Sequence, residues 1–234
     1  MTTEIWGLIP LKALNFAKQR LAGSLAPEER AGLFMSMVRD VVRALQAARS
    51  ISRVVIVTAD RDAYGSLASD HVELIDERPG GLSRAVEDAA RYAGERGATG
   101  IVMLPGDLPL VTAEDIDVMA ELVTHQPAIA ISPDVDENGT NCIAVSPPDL
   151  MRYHFGGGSF HRHCHEARAR GAAPTVKHLP GLALDVDTVA DLAWLLDRLD
   201  ETPVHSCTRA YVISHDMASR LGHPHNTRSL SRKA

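Results

Sequence analysis

Ile101-Val-Met-Leu-Pro-Gly-Asp-Leu-Pro-Leu110 is the stretch that decides the fold. Four apolar residues form a short strand buried on both faces. Pro105 and Gly106 end it, and Asp107 stands just past its carboxyl end. Open α/β sheets bind ligands at that end of their strands. A carboxylate there either holds a cation or caps the next helix. A second acidic cluster favours the cation: Asp185 and Asp187 close the apolar run Leu182-Ala-Leu-Asp-Val-Asp-Thr188. Their i, i+2 spacing places both on one side of an extended segment. Three carboxylates at two strand ends suit Mg²⁺, a hard cation that takes oxygen ligands and often binds substrate phosphates as well.

Outward from this stretch, strand-like and helix-like runs alternate. Strands are expected at Ile5–Pro10, Val54–Thr58, His71–Ile75, Gly100–Leu104, Ala128–Ser132, Cys142–Val145, Val176–Leu179 and Leu182–Val186. Helices are expected at Pro27–Arg49, Leu82–Arg96, Thr112–Val123, Ser159–Arg170 and Asp187–Leu199. Pro27 near the first helical position, and Thr112 with Asp115 three residues on, are start signals. β-branched strands alternating with helices give an α/β fold with a mostly parallel central sheet covered on both faces. One domain is expected over residues 1–200. Residues 201–234, rich in histidine, read as a C-terminal extension, disordered toward Ser229–Ala234.

The composition narrows the function. The chain has 234 residues, 45% of them hydrophobic, enough for one substantial core. A net charge of −6 and 4% aromatics argue against a nucleic-acid surface. No apolar run approaches the roughly 20 residues of a membrane span. The N-terminus lacks the basic and apolar regions of a signal peptide. Cys142, Cys164 and Cys207 form neither a disulfide framework nor a CxxC motif. A cytoplasmic protein with reduced thiols is expected, with Cys142 as buried filler.

Three further regions carry chemistry. Lys12, Lys18 and Arg20 follow the first strand, where an α/β nucleotide-binding fold keeps its phosphate loop. Gly23 is the first glycine there, so basic side chains replace the backbone cradle of a P-loop. Pro79-Gly-Gly-Leu-Ser83 opens a helix; Gly80 and Gly81 let backbone approach a ligand, and Ser83 can cap the helix or meet a base. Phe155-Gly-Gly-Gly-Ser-Phe160, with Gly139-Thr-Asn141, offers glycine backbone and the Thr140 and Ser159 hydroxyls to an anion. His161, His163 and His165 raise a zinc reading. On a helix, however, His161 and His165 share a face while His163 points away, and Cys164 completes no standard spacing. Solvated or phosphate-facing histidines are expected instead.

Together these segments resemble the guanylyltransferases that activate a small phosphorylated acid during assembly of the deazaflavin coenzyme F-420. The resemblance covers about residues 4–200. It rests on Ile9-Pro-Leu-Lys12 with Ala17-Lys-Gln-Arg-Leu21, Gly80-Gly-Leu82, Pro105-Gly-Asp-Leu-Pro-Leu110, Gly139-Thr-Asn141, Gly158-Ser-Phe160 with His163, and Leu184-Asp-Val-Asp-Thr188. It implies a Rossmann-like nucleotidyltransferase fold of the GT-A type, a three-layer sandwich. It implies transfer of GMP from GTP to 2-phospho-L-lactate, phosphoenolpyruvate or 3-phospho-D-glycerate, with Mg²⁺ on Asp107, Asp185 and Asp187. Thr140, Gly156 and Ser159 then hold the acceptor's phosphate, and Lys18 with the first loop meets the GTP phosphates. Asp107 and Lys18 are the expected catalytic residues. Lys12, Lys18, Arg20, Gly80, Gly81 and Ser83 are the expected nucleotide-binding ones. Two positions depart from the family pattern: Ser83 stands where asparagine is usual, and Gly106 where alanine is common. A homodimer is compatible with such an enzyme. Two other readings stay open: a related nucleotidyltransferase acting on molybdopterin, a sugar phosphate or a phosphonate, and a non-catalytic nucleotide sensor on the same fold.

Overall fold

In the computed structural model, residues 3–199 and 206–222 are described. The expected disorder at Ser229–Ala234 lies outside them. In chain order the elements are β1 (Ile5–Leu11), α1 (Pro27–Ala47), β2 (Ile51–Thr58), α2 (Arg61–Tyr64), β3 (Val72–Asp76), α3 (Gly81–Glu95) and β4 (Gly100–Met103). Then follow α4 (Ala113–Glu121), β5 (Ala128–Pro133), β6 (Thr140–Ser146), α5 (Ser159–Ala169), β7 (Thr175–Val176), α6 (Val189–Asp197), α7 (Cys207–Ser214) and α8 (Met217–Arg220).

The seven strands form one sheet in the order β3-β2-β1-β4-β6-β5-β7. All neighbours pair in parallel except β6, which runs antiparallel to both β4 and β5. Its register sets Met103 opposite Ile143. The amino end of β6 therefore stands beside the carboxyl ends of β1 and β4. That one reversal brings Thr140 and Asn141 next to the loop that carries Asp107.

Each face of the sheet is covered. Leu33, Met37, Val38, Val41 and Leu45 of α1 recur at helical spacing and are fully buried, together with residues of α4, α6 and α7. On the other face, the small residues Ala85, Ala89, Ala90 and Ala93 let α3 lie close to β1 and β2, with α5 beside it. Helix starts follow local chemistry. The Asp115 backbone N–H donates to Thr112 Oγ1 at 3.1 Å, and Thr112 N–H returns to Asp115 Oδ2 at 3.1 Å. Thr188 and Asp191 repeat the arrangement at α6.

Three expectations are corrected. Residues 182–186 are not a strand: Pro180–Leu182 form a 3₁₀ turn, and an extended segment runs on to α6. Its alternation has another cause. Leu182, Leu184 and Val186 bury themselves in the core at the sheet's end without joining a ladder. The strand expected at Val176–Leu179 shrinks to Thr175–Val176 at the sheet edge, because Pro180 follows too closely for the ladder to continue. Finally, residues past 205 do not stand apart. Helices α7 and α8 pack against α1, and Val212, Met217 and Ala218 belong to the same core. Asp40 of α1 accepts from Ser206 Oγ (2.7 Å), Cys207 N–H (2.7 Å) and Thr208 N–H (2.8 Å), which fastens the start of α7.

Candidate active site

The loop after β4 and the segment before α6 are joined by backbone: Val186 N–H donates to Asp107 carbonyl O at 3.2 Å. This bond sets Asp107 beside Asp185 and Asp187. Asp185 sits next to β6, where Asn141 Nδ2 donates to its Oδ1 at 3.2 Å and to Leu182 O at 2.9 Å. The three carboxylates thus converge, although Asp185 and Asp187 reach the site from an extended loop rather than a strand end.

Lys18 is the centre of the cluster. It is 8% exposed, and its ammonium donates to Asp107 Oδ2 and, at 2.8 Å, to Asp187 Oδ1. It also stands 5.5 Å over the Phe34 ring. Its backbone takes a left-handed conformation, φ 52°, uncommon for a residue with a side chain. The basic loop is pinned from beneath: Tyr64 Oη donates to Lys12 O at 2.8 Å, and Leu14 N–H donates to Asp60 Oδ2 at 3.0 Å. Lys12 and Arg20 remain exposed, and Arg20 approaches Asp187 Oδ2 at 3.5 Å.

The charges in this cluster do not balance locally. Burial lowers the Lys18 pKa, but Asp107 and Asp187 overcome it and hold the ammonium charged. Burial raises Asp187, and Lys18, Arg20 and Lys12 outweigh that and hold its carboxyl low. Asp185 has no cation of its own. Burial first, then the charges of Asp107 and Asp187, push it up to about 6. Asp107 Oδ1 is buried without a hydrogen-bond partner. Among the described residues, no three carboxylate, imidazole or thiolate groups are arranged to close around one ion as the side chains lie. The Lys18 ammonium stands between two of the three expected ligands.

A second group lies where Thr140 begins β6. Gly156 (φ 109°) and Gly158 (φ 72°) take left-handed backbone that turns the chain into α5 at Ser159. Ser159 Oγ is 3.3 Å from Thr140 Oγ1, and Thr140 Oγ1 is 3.0 Å from His163 Nδ1. All three residues are buried. His161 and His165 face outward as the helical spacing requires, but His163 is fully buried rather than solvated. The missed signal lies in the sequence. His163 stands three residues after Phe160 and four before Ala167, on the apolar stripe of α5.

Gly80 and Gly81 also take positive φ, 146° and 77°. Ser83 is not the cap of α3, because Gly80 precedes the helix. Its hydroxyl instead accepts from Phe155 N–H at 3.0 Å, tying the glycine turn to the glycine-rich loop. Tyr64 and Asp60 are positioning residues that sequence reading did not single out, and Asn141, quoted there only as part of a motif, is a third. Cys142 is filler as expected: it is fully buried, and burial pushes its thiol well up.

A basic loop after β1, an acidic cluster after β4 and a glycine-rich loop beside a reversed strand fit a nucleotidyltransferase of the α/β class. The fold is shared with solved structures. One from Desulfovibrio desulfuricans G20, described as a nucleotide-diphospho-sugar transferase, aligns with a TM-score of 0.73 at 20% identity and covers 94% of this chain and 98% of its own. A nucleotidyl transferase from Methanothermobacter aligns at 0.62 with 15% identity, over 84% of this chain and 98% of its own. A family model described as "Guanylyl transferase CofC like" matches residues 5–215. The phosphoenolpyruvate guanylyltransferase of Sphaerobacter thermophilus is 37% identical over 79% of this chain and 89% of its own. That of Rubrobacter xylanophilus is 36% identical over 82% and 93%. The 2-phospho-L-lactate guanylyltransferase of Methanothermobacter thermautotrophicus is 32% identical over 81% and 82%. The chain belongs to the CofC-like guanylyltransferase family.

Proposed function

We propose that this enzyme moves GMP from GTP to the phosphate of a small phosphorylated carboxylic acid and releases pyrophosphate, a step in coenzyme F-420 assembly carried out in the cytoplasm. Phosphoenolpyruvate is the first acceptor to test, since several relatives of similar length carry it in their names; 2-phospho-L-lactate and 3-phospho-D-glycerate follow. The observation that carries the reading is Asp107. Its bared, buried Oδ1 faces no protein donor, beside an Asp185 that lacks a counter-charge.

An all-oxygen donor set with an orphaned lone pair and excess negative charge fits a hard divalent cation such as Mg²⁺. Asp107, Asp185 and Asp187 would hold it, and when bound it supplies positive charge to the reacting phosphates. The chain's own residues do the rest. Lys12 and Arg20, exposed on the pinned loop, meet the triphosphate, and Lys18 fixes the orientation of Asp107 and Asp187. Gly80 and Gly81 allow the nucleotide to approach the start of α3. Thr140, Ser159 and the Gly156 backbone receive the acceptor's anionic group. An acceptor phosphate oxygen attacks the α-phosphorus, the bond from that phosphorus to the bridging oxygen breaks, and pyrophosphate departs with the bond's electrons. The attacking oxygen is already anionic near neutral pH. The barrier therefore lies in positioning and in repulsion between two polyanions, not in proton removal.

Mass spectrometry of products from GTP, Mg²⁺ and each of the three acids tests the assignment. A guanosine diphosphate diester of one acid is expected. Asp107→Asn should lower turnover by about a hundredfold or more while the protein stays folded at the assay temperature. Wild-type-like turnover in that variant would remove the acidic cluster from the chemistry.

A further inference from the structure

The Thr140–Ser159 pair can present a hydrogen to a ligand or withhold it, and the imidazole behind it decides which. His154 backbone N–H donates to His163 Nε2 at 2.8 Å. An N–H pointed at Nε2 requires that nitrogen to be bare, so the single proton of the neutral ring resides on Nδ1. Nδ1–H then donates to Thr140 Oγ1. Phe155 packs edge-on at 4.8 Å, and Tyr153 stands edge-on at 6.4 Å, which keeps the ring from turning over. Burial, followed by the charges of His154 and Arg162, lowers the ring's pKa to about 4, in line with a neutral imidazole.

Hydrogen counting gives the consequence. The two hydroxyls own two protons, and the contact between them uses one. With Nδ1–H filling a lone pair of Thr140 Oγ1, no proton is needed on the histidine side. One hydroxyl proton is left over and can only point away from the pair. In the opposite tautomer, Thr140 would donate to bare Nδ1 and Ser159 would donate to Thr140, leaving nothing outward. We infer that His163 is a positioning residue that turns the Thr140–Ser159 pair into a hydrogen-bond donor for the anionic group of the acceptor. This rests on the acceptor reading of the site given above.

The test is steady-state kinetics on the full chain with GTP and phosphoenolpyruvate. His163→Gln can still accept from His154 N–H but loses the donor that occupies a Thr140 Oγ1 lone pair, so the outward hydroxyl proton is no longer held toward the acceptor. Its KM for the acceptor should rise about tenfold, the scale of one hydrogen bond to a charged group, with KM for GTP within about twofold. His163→Asn places an amide N–H near the Nδ1 position and should bring the acceptor KM back to within about threefold of wild type. In a Thr140→Val background, His163→Gln should add nothing further, because the residue it acts through is gone. An unchanged acceptor KM in His163→Gln, or multiplying effects in the Thr140→Val background, overturns the inference. If His163→Gln does not fold, an acceptor KM raised tenfold in His163→Asn does so alone. The ¹⁵N spectrum of the wild-type imidazole gives a readout that needs no turnover: a proton on Nε2 overturns the tautomer assignment. A wild type that makes no product with any of the acids would instead sink the functional reading while leaving that spectrum to judge His163.

Discussion

At the scale of single residues, two titrating groups pull stability in opposite directions. Burial, followed by the charge of Asp107, pushes the Asp185 carboxyl up to about 6 from its ordinary 3.8. The folded state therefore holds its proton longer than the unfolded chain does. The stability this gives is complete below about pH 4 and is lost as pH rises through 6. At pH 7 the ionised carboxylate costs up to about 3 kcal/mol. His163 has the reverse sign: its folded pKa of about 4 lies under 6.5, so stability is complete above 6.5 and is lost as pH falls toward 4, again by about 3 kcal/mol. Denaturation midpoints between pH 4 and 7 should thus vary little in the wild type from these two groups. Asp185→Asn should be more stable than wild type at pH 7 and should lose stability more steeply on acidification. Mg²⁺ should raise the melting temperature of the wild type and leave that of Asp185→Asn unchanged. His163→Asn should lose less stability on acidification than wild type. Parallel profiles in all three proteins would show that neither environment is as charged or as buried as the structure has it.

At the scale of elements, the site loop after β4 is seated directly on α1. A methyl group at Gly106 would meet Leu11 Cδ2 at 2.6 Å and Val38 Cγ2 at 2.8 Å, with Phe34 at 3.5 Å. Phe34 also underlies the Lys18 ammonium. The glycine at this position is thus matched to the bulk beneath it. Gly106→Ala should cost about 1–3 kcal/mol by overpacking, read as a lower urea midpoint. The second seat is on the far side of α1, where Asp40 takes three donors at the start of α7. Asp40→Ala should cost about 2 kcal/mol. It should also raise amide exchange across residues 207–220 more than in the sheet. Uniform exchange across both regions would mean that the cap does not hold α7 in particular.

At the scale of the whole molecule, much was legible because local chemistry and global fold agree. Pro27, Thr112 and the β-branched runs each announce an element that forms close to its expected bounds. Asp107, Asp185 and Asp187 could be grouped from sequence because each closes an apolar run, although only the run before Asp107 is a strand of the sheet. What escaped depended on contacts between distant segments. Leu182–Val186 alternates like a strand, yet its backbone pairs only once with the Asp107 loop. Lys18 reads as a phosphate-binding cation of the first loop, and only its meeting with residues 89 and 169 positions away shows it buried between two acids. The C-terminal helices are too short for an apolar periodicity to signal that Gly32 leaves room for Tyr211 on α1.

The reversed direction of β6 has a consequence for how such a protein can diversify. Its entry point, not its exit, stands beside Ser159, so the short turn over 134–139 borders the proposed acceptor site. Asp134 braces that turn by accepting from Asn138 N–H at 2.8 Å and Gly139 N–H at 2.7 Å, while Val135 at its tip is 70% exposed. Changes of length or side chain there can remodel what the pocket admits while the buried ladder behind stays intact, leaving new substrate choices within reach of a few surface substitutions.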